Sequence, residues 1–267
     1  MLLAHETDVI VNLAANVGGI GYNQNHPYQL FYDNACIGLN LIHEAINFGV
    51  KKFVQVGTVC SYPRFAIPPF SEESLWDGYP EETNAPYGLA KKMTLVQLQA
   101  ARAEFGFNGI YLMPTNLYGP NDEFADHRSH VIPALIKKYV RAKIHSLESV
   151  EVWGTGTASR DFLHVKDAAK AIALAIEKYN NPHPLNIGSG EQVRVSALAY
   201  YISQMVGYTG GTRYDISRPD GQPKRGLNIS RIKNALGWEP EISLRDGLKE
   251  TIEWYTQNVD AGIYASN

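Results

Sequence analysis

Cysteine is nearly missing from this sequence of 267 residues, which holds only Cys36 and Cys60. Two thiols cannot build a disulfide framework, and they lack the spacing of a zinc-ligand pair, so a reducing cytoplasm fits. Long apolar runs are absent as well. No stretch of 18 apolar residues exists, which excludes a membrane-spanning helix. The start carries Glu6 and Asp8 where a secretory leader places basic residues and an apolar core. Neither sign of charge is in excess: the formal net charge is −3, which leaves no electrostatic footprint for nucleic acid. Repeats and low-complexity tracts are missing, and Asn228-Ile229-Ser230 is a lone glycosylation-like triplet of the kind chance produces.

What is present is an ordinary globular composition, 45% hydrophobic and 19% charged, enough to bury a full core and a smaller second lobe. Strand-like and helix-like segments alternate. Strands are predicted near 8–13, 52–56 and 109–113, with helices at about 27–48 and 87–105 between them. That alternation predicts a parallel sheet with helices on both faces. Beyond residue 120 the order loosens: helices are predicted near 130–142, 165–179, 195–206, 230–236 and 244–258, with short strands at 150–153 and 185–187. The Pro- and Glu-rich loop from Tyr62 to Pro86 is long enough to suggest a functional role.

Chemistry gathers around three of these segments. Tyr87 and Lys91 are four residues apart, so one helix face presents a phenol and an ammonium together. A cation beside a phenol favours phenolate, which predicts a Tyr87 pKa drawn below the ordinary value of about 10. The strand at Lys52–Val56 runs into Gly57-Thr58-Val59-Cys60-Ser61, and the strand at Gly109–Met113 into Pro114-Thr115-Asn116-Leu117-Tyr118-Gly119-Pro120. In an open parallel sheet the carboxyl ends of strands meet ligands, so these turns are delivered to one cleft. Two histidines, His127 and His130, lie three apart, but no carboxylate is spaced to complete a metal site, and no metal is expected.

Hydroxyl, then Tyr-x-x-x-Lys, then Pro-Thr-Asn-Leu-Tyr-Gly-Pro is an order that resembles the extended short-chain dehydrogenase/reductase superfamily of nucleotide-sugar epimerases, dehydratases and reductases. Further segments carry the resemblance to the GDP-L-fucose synthase family: Ala14 to Ile20, Ser129 to Leu135, Val152-Trp153-Gly154-Thr155-Gly156, Arg160 to Val165 and Arg218 to Pro223. Cys60 and His130 set that family apart from plain epimerases.

The resemblance implies a doubly wound α/β, Rossmann-like fold with a smaller C-terminal α/β substrate lobe. Residues 1–120 form what remains of the dinucleotide-binding domain and 121–267 mainly the substrate lobe. It implies an NADP(H)-dependent epimerase/reductase acting on a GDP-sugar, with Tyr87, Lys91, Thr58, Cys60 and His130 catalytic. Val56, Gly57, Thr58, Lys91, Pro114, Thr115, Asn116, Leu117 and His130 line the cofactor, while Lys138, Trp153, Arg160 and Asp220 hold the nucleotide sugar. A homodimer is implied for the complete protein. Another nucleotide-sugar epimerase or reductase, for example of a GDP-heptose, and a chain that only binds nucleotide sugar are the alternatives.

The family's opening strand, Gly-rich turn and helix, which hold the cofactor pyrophosphate, are not in this sequence. The run Asp8–Leu13 reads as the fourth strand, and about 50 residues ahead of it are expected to be missing. A short chain is then expected to self-associate through this strand and to bind NADPH weakly. Gly18-Gly19-Ile20-Gly21 does not replace the turn, since Gln24 stands where G-x-G-x-x-G needs its third glycine. It reads as a backbone-permissive turn near the cofactor or as a plain loop.

Overall fold

The computed structural model describes residues 7–126 and 128–260; His127 of the histidine pair and Glu6 fall outside them. The first half runs β1 (Val9–Asn12), α1 (Ile20–Asn25), α2 (Pro27–Asn47), β2 (Lys52–Val56), α3 (Ala85–Phe105), β3 (Gly109–Pro114) and β4 (Asn116–Tyr118). Then come α4 (Val131–Ile144), β5 (Ser149–Trp153), β6 (Ser159–Arg160), β7 (Phe162–His164), α5 (Val165–Lys178) and β8 (Leu185–Ile187). The chain closes with β9 (Val193–Arg194), α6 (Val195–Val206), β10 (Gly211–Asp215), β11 (Lys224–Arg225), α7 (Ser230–Leu236) and α8 (Leu244–Asp260).

The main sheet has the order β1-β2-β3-β8 and is parallel throughout. Near-continuous apolar runs in β2 and β3 are what a sheet covered on both faces requires. Alternation decides which residue meets which layer. Phe53, Tyr111 and Met113 join Ile42, Leu95 and Leu98 of α2 and α3 on one face, and Val54, Ile110 and Leu112 join Ala168, Ala171 and Ala175 of α5 and Ile232 of α7 on the other. The helices α2 and α3 approach so closely that a Cβ at Gly38 would strike the Thr94 methyl.

A third apolar cluster lies in the second half, where Ile132, Ile136 and Tyr139 of α4 pack with Leu198 and Ile202 of α6, Leu248, Ile252 and Tyr255 of α8, and Val150 and Val152 of β5. The strand β10 pairs parallel to β5. Its Gly-Thr-Arg-Tyr-Asp sequence offers no apolar alternation, which hides it from periodicity. The two- and three-residue strands β4, β6, β7, β9 and β11 are too short to show any period, and they pair through tertiary placement.

Two further differences concern the expected loops. The Gly18–Gly21 stretch opens a helix, α1, and Gly19 has an ordinary φ of −65°. Glycine is required at position 19 by close approach, since a Cβ there would lie 2.7 Å from the Ser129 carbonyl oxygen. The segment between Tyr62 and Pro86 contains a 3₁₀ turn at Glu72–Trp76.

Candidate active site

The chain leaves β2 through Gly57, where a Cβ would collide with the Tyr111 phenol, and enters Thr58. Thr58 Oγ1 accepts a hydrogen bond from the Cys60 amide at 3.1 Å and so caps the 3₁₀ turn Val59–Ser61. This turn is seated on the first turn of α3. Ser61 Oγ donates to the Gly88 carbonyl at 2.8 Å, and a Cβ at Gly88 would run into the Cys60 carbonyl. Gly88 sits next to Tyr87, so the contact fixes Thr58 and Cys60 against the phenol. The Thr58 side chain lies close enough to the Tyr87 phenol to favour its anion. Gly88→Ala is expected to lower the unfolding free energy by about 1–3 kcal/mol through overpacking. Thermal unfolding checks this, and an unchanged midpoint would show that the helix yields freely.

Burial corrects the expectation for Tyr87. Its pKa is pushed up, first by burial and then by the Cys60 thiol, with only the Thr58 side chain pulling it back. The Lys91 ammonium is not among the groups that offset this; its Nζ donates to the Ala14 carbonyl at 2.9 Å, just beyond β1. Loss of solvation dominates here, and a spacing of four residues along a helix carries no information about it. Burial also pulls Lys91 down, to about 8.

Cys60 is half-buried, with its Sγ 3.8 Å from Asn84 Oδ1 and 3.5 Å from Arg225 Nη1. His130 is the exposed N-cap residue of α4, without a side-chain capping bond. Desolvation by the surrounding protein holds its pKa below the ordinary value. No hydrogen bond joins His130 to Cys60 among the described residues.

Of the positions expected along the cofactor, Val56, Gly57, Pro114, Thr115, Asn116 and Leu117 all lie at the carboxyl ends of β2 and β3 or just beyond. Thr115 Oγ1 and Asn116 Nδ2 both donate to the Asp161 carbonyl, at 3.0 and 2.8 Å. These two side chains therefore fix the path of the chain.

The expected nucleotide-sugar residues form a second group. Lys138 Nζ donates to the Glu151 carbonyl at 2.9 Å and lies 5.5 Å from the Trp153 ring centroid, and Arg218 stands 4.9 Å from the same centroid. Arg160 donates to the carbonyls of Ser159 and Asp220, at 2.8 and 3.0 Å. The Asp220 carboxylate accepts from the Thr155 amide at 2.8 Å and its hydroxyl at 2.7 Å. Asp220 thus holds the Trp153–Thr155 turn and Arg160 together, and its carboxylate is already engaged by protein.

Residues 1–188 match the NAD dependent epimerase/dehydratase family. The chain belongs to that family. It is 42% identical over 250 residues to GDP-L-fucose synthase 1 of Arabidopsis thaliana, covering 94% of this chain and 77% of the relative. It is 39% identical over 262 residues to GDP-L-fucose synthase of Escherichia coli K12, covering 95% and 81%. Among solved structures, a GDP-6-OMe-4-keto-L-xylo-heptose reductase from C. jejuni is similar at a TM-score of 0.87, with 28% identity over 94% of this chain and 83% of the other. A GDP-L-fucose synthetase from Naegleria fowleri bound to NADP gives 0.86, with 26% identity over 95% and 78%.

Membership in the epimerase/dehydratase family brings a nicotinamide cofactor, and the donor set fits one. A phenol, a hydroxyl and a buried ammonium converge where β1 and β2 end, and Gly57 keeps that end of β2 free of a side chain. Sequence reasoning missed Asn84, Asn23 and Arg225. Asn23 Nδ2 donates to Asn84 Oδ1 at 3.2 Å, and Asn84 Nδ2 donates to Glu81 Oε2 at 2.6 Å. The one available signal for Arg225 was its place two residues beyond the quoted Arg218–Pro223 segment.

Proposed function

We propose that this chain epimerises a GDP-4-keto-6-deoxy-hexose and reduces it with NADPH to GDP-L-fucose. The carrying observation is the junction of the Val59–Ser61 turn with α3, which sets a carbon base, Cys60, beside a proton donor, Tyr87, and an orienting hydroxyl, Thr58. Two relatives at 39–42% identity, named GDP-L-fucose synthase, support the choice of sugar.

In this reading the Cys60 thiolate takes a proton from a carbon next to the ketone. The electron pair stays on the sugar as an enolate, and His130 returns a proton on the opposite face, inverting that carbon. NADPH, when bound, supplies hydride to the ketone carbon. Thr58 orients the ketone oxygen and Tyr87 gives it a proton. Lys91 and the turns after β2 and β3 hold the nicotinamide ribose, and Lys138, Trp153, Arg160 and Asp220 shape the GDP site. Residues 1–120, with the later segments that return to the main sheet, carry the cofactor, and 121–267 mainly carry the sugar. We place the protein in the cytoplasm as a homodimer, for which the exposed Tyr28 and Tyr32 of α2 and Val96 of α3 offer an apolar surface.

The direct test is NADPH oxidation with GDP-4-keto-6-deoxymannose and identification of the product by NMR. Turnover of a GDP-heptose ketone with none of the 6-deoxy sugar would overturn the assignment. A pH effect follows from Lys91. With its pKa at about 8 the ammonium is present at pH 7 and lost as pH rises through that value. NADPH affinity is therefore expected to weaken by roughly tenfold between pH 7 and 9.5, as a charge-assisted hydrogen bond is lost. In Lys91→Met affinity is expected to be weak at both pH values. Fluorescence titration measures this, and a flat profile in the parent chain removes Lys91 from the cofactor site.

A further inference from the structure

A carbon base that must take up a proton and give it back needs a seat that satisfies sulfur in both protonation states. Cys60 lies between a donor and an acceptor. On one side Arg225 of β11 points Nη1 at the sulfur, at 3.5 Å. On the other, Asn84 Oδ1 lies 3.8 Å away, in reach of a thiol hydrogen.

Both partners are held in orientation by further bonds. Arg225 is 7% exposed; its Nε donates to Gln222 Oε1 at 3.1 Å, and Gln222 Nε2 is tied to the Arg64 carbonyl at 2.8 Å. The Arg225 carbonyl accepts from the Asp161 amide at 3.0 Å, so main chain and side chain are both fixed. The amide of Asn84 cannot turn over, because its Nδ2 faces the Glu81 carboxylate and its Oδ1 already accepts from Asn23. The oxygen is therefore the atom turned to the sulfur.

Charge around the sulfur points the same way. The ionisable groups facing this corner are Arg225 and Arg160 from β11 and β6, Tyr87 from α3, Asp220 ahead of β11, and Glu81 just before α3. The two guanidiniums repel: burial first, and then the Arg225 charge, draw Arg160 down to about 10. Their hydrogen bonds go to Gln222, Cys60 and the carbonyls of Ser159 and Asp220, and neither forms an ion pair with a carboxylate among the described residues. Arg225 is buried and Arg160 half-buried, so an anion placed beside Arg225 is favoured there.

We propose that Arg225 and Asn84 are positioning residues for Cys60, Arg225 receiving the sulfur as thiolate and Asn84 receiving its hydrogen as thiol. This rests on the reading of Cys60 as the carbon base. Taking a proton from the sugar turns the thiolate into a thiol, the bonding pair remains on the sugar, and the new S–H is donated to Asn84 Oδ1. Once His130 has protonated the opposite face of the sugar, loss of the S–H proton to solvent restores the thiolate and its Arg225 contact.

The test uses the full chain with Cys36→Ser, which leaves Cys60 as the one thiol, and follows its alkylation by iodoacetamide. Arg225→Met is expected to slow alkylation about tenfold at pH 7, since loss of an opposite charge at this range disfavours the anion. At pH 10 the two rates are expected to converge, which a change in access alone would not produce. Arg225→Lys, which keeps the charge and the fold, is expected to recover most of the parent rate at pH 7. Equal rates at pH 7 for parent and Arg225→Met, or a deficit that persists unchanged to pH 10, would overturn the proposal. The free protein is used, so alkylation is read independently of the sugar reaction. A slowed Arg225→Met beside a parent that never incorporates solvent deuterium into the keto sugar would sink the catalytic reading and leave the thiolate seat standing.

Discussion

Replacing Tyr87 by Phe is expected to slow reductive turnover by about 10²- to 10⁴-fold, the range a positioned proton donor supplies, with GDP-sugar affinity nearly unchanged. The ring occupies a buried place, 7% exposed, and Phe refills it. Only the hydroxyl beside Thr58 is removed. On the proposed mechanism the phenol, which burial keeps protonated, gives up its proton as charge develops on the ketone oxygen, and deleting it leaves that oxygen without a donor. Stopped-flow measurement of NADPH oxidation decides the matter. Turnover at the parent rate would remove Tyr87 from the reaction.

Cys60→Ser is expected to abolish solvent-deuterium incorporation at the carbons beside the ketone, a loss of at least about 10²-fold, while some direct reduction of the ketone survives. A serine hydroxyl near neutral pH holds its proton far more tightly than a thiol and makes a poor carbon base. Thr58 and Tyr87 are untouched by the change, so the reducing arrangement persists. NMR of the sugar in deuterated buffer reads both outcomes. Exchange at the parent rate would assign the base to another group.

The fold was largely legible. The runs that became β2, β3, α2, α3 and α5 have lengths and periods that local physics dictates, and their order implied the covered parallel sheet. The arrangement of Thr58, Cys60 and Tyr87 was legible as strand ends and a helix start. The Tyr87 titration was not, because the deciding influence is burial by residues remote in sequence. Arg225 escaped for a similar reason: it reaches Cys60 across 165 residues through the pairing of β11 with β6, a two-residue bridge without local pattern. Asn84 looked like an ordinary residue ahead of a helix, and its tie to Asn23 spans 61 positions and a helix that glycines disguised as a turn.

The missing methyl group at Gly88 has a consequence for the order of events. Since the Cys60 carbonyl rests on that glycine and Ser61 is bonded to it, sulfur, hydroxyl and phenol belong to one rigid block. On the proposed mechanism they act from one shared frame. On that mechanism a sugar that offers ring carbons to sulfur and then its ketone to the phenol is expected to swivel on its own diphosphate tether. The interval between inversion and reduction is then expected to depend on how freely the bound ring rotates, and a bulkier sugar is expected to be slowed there even when its nucleotide fits.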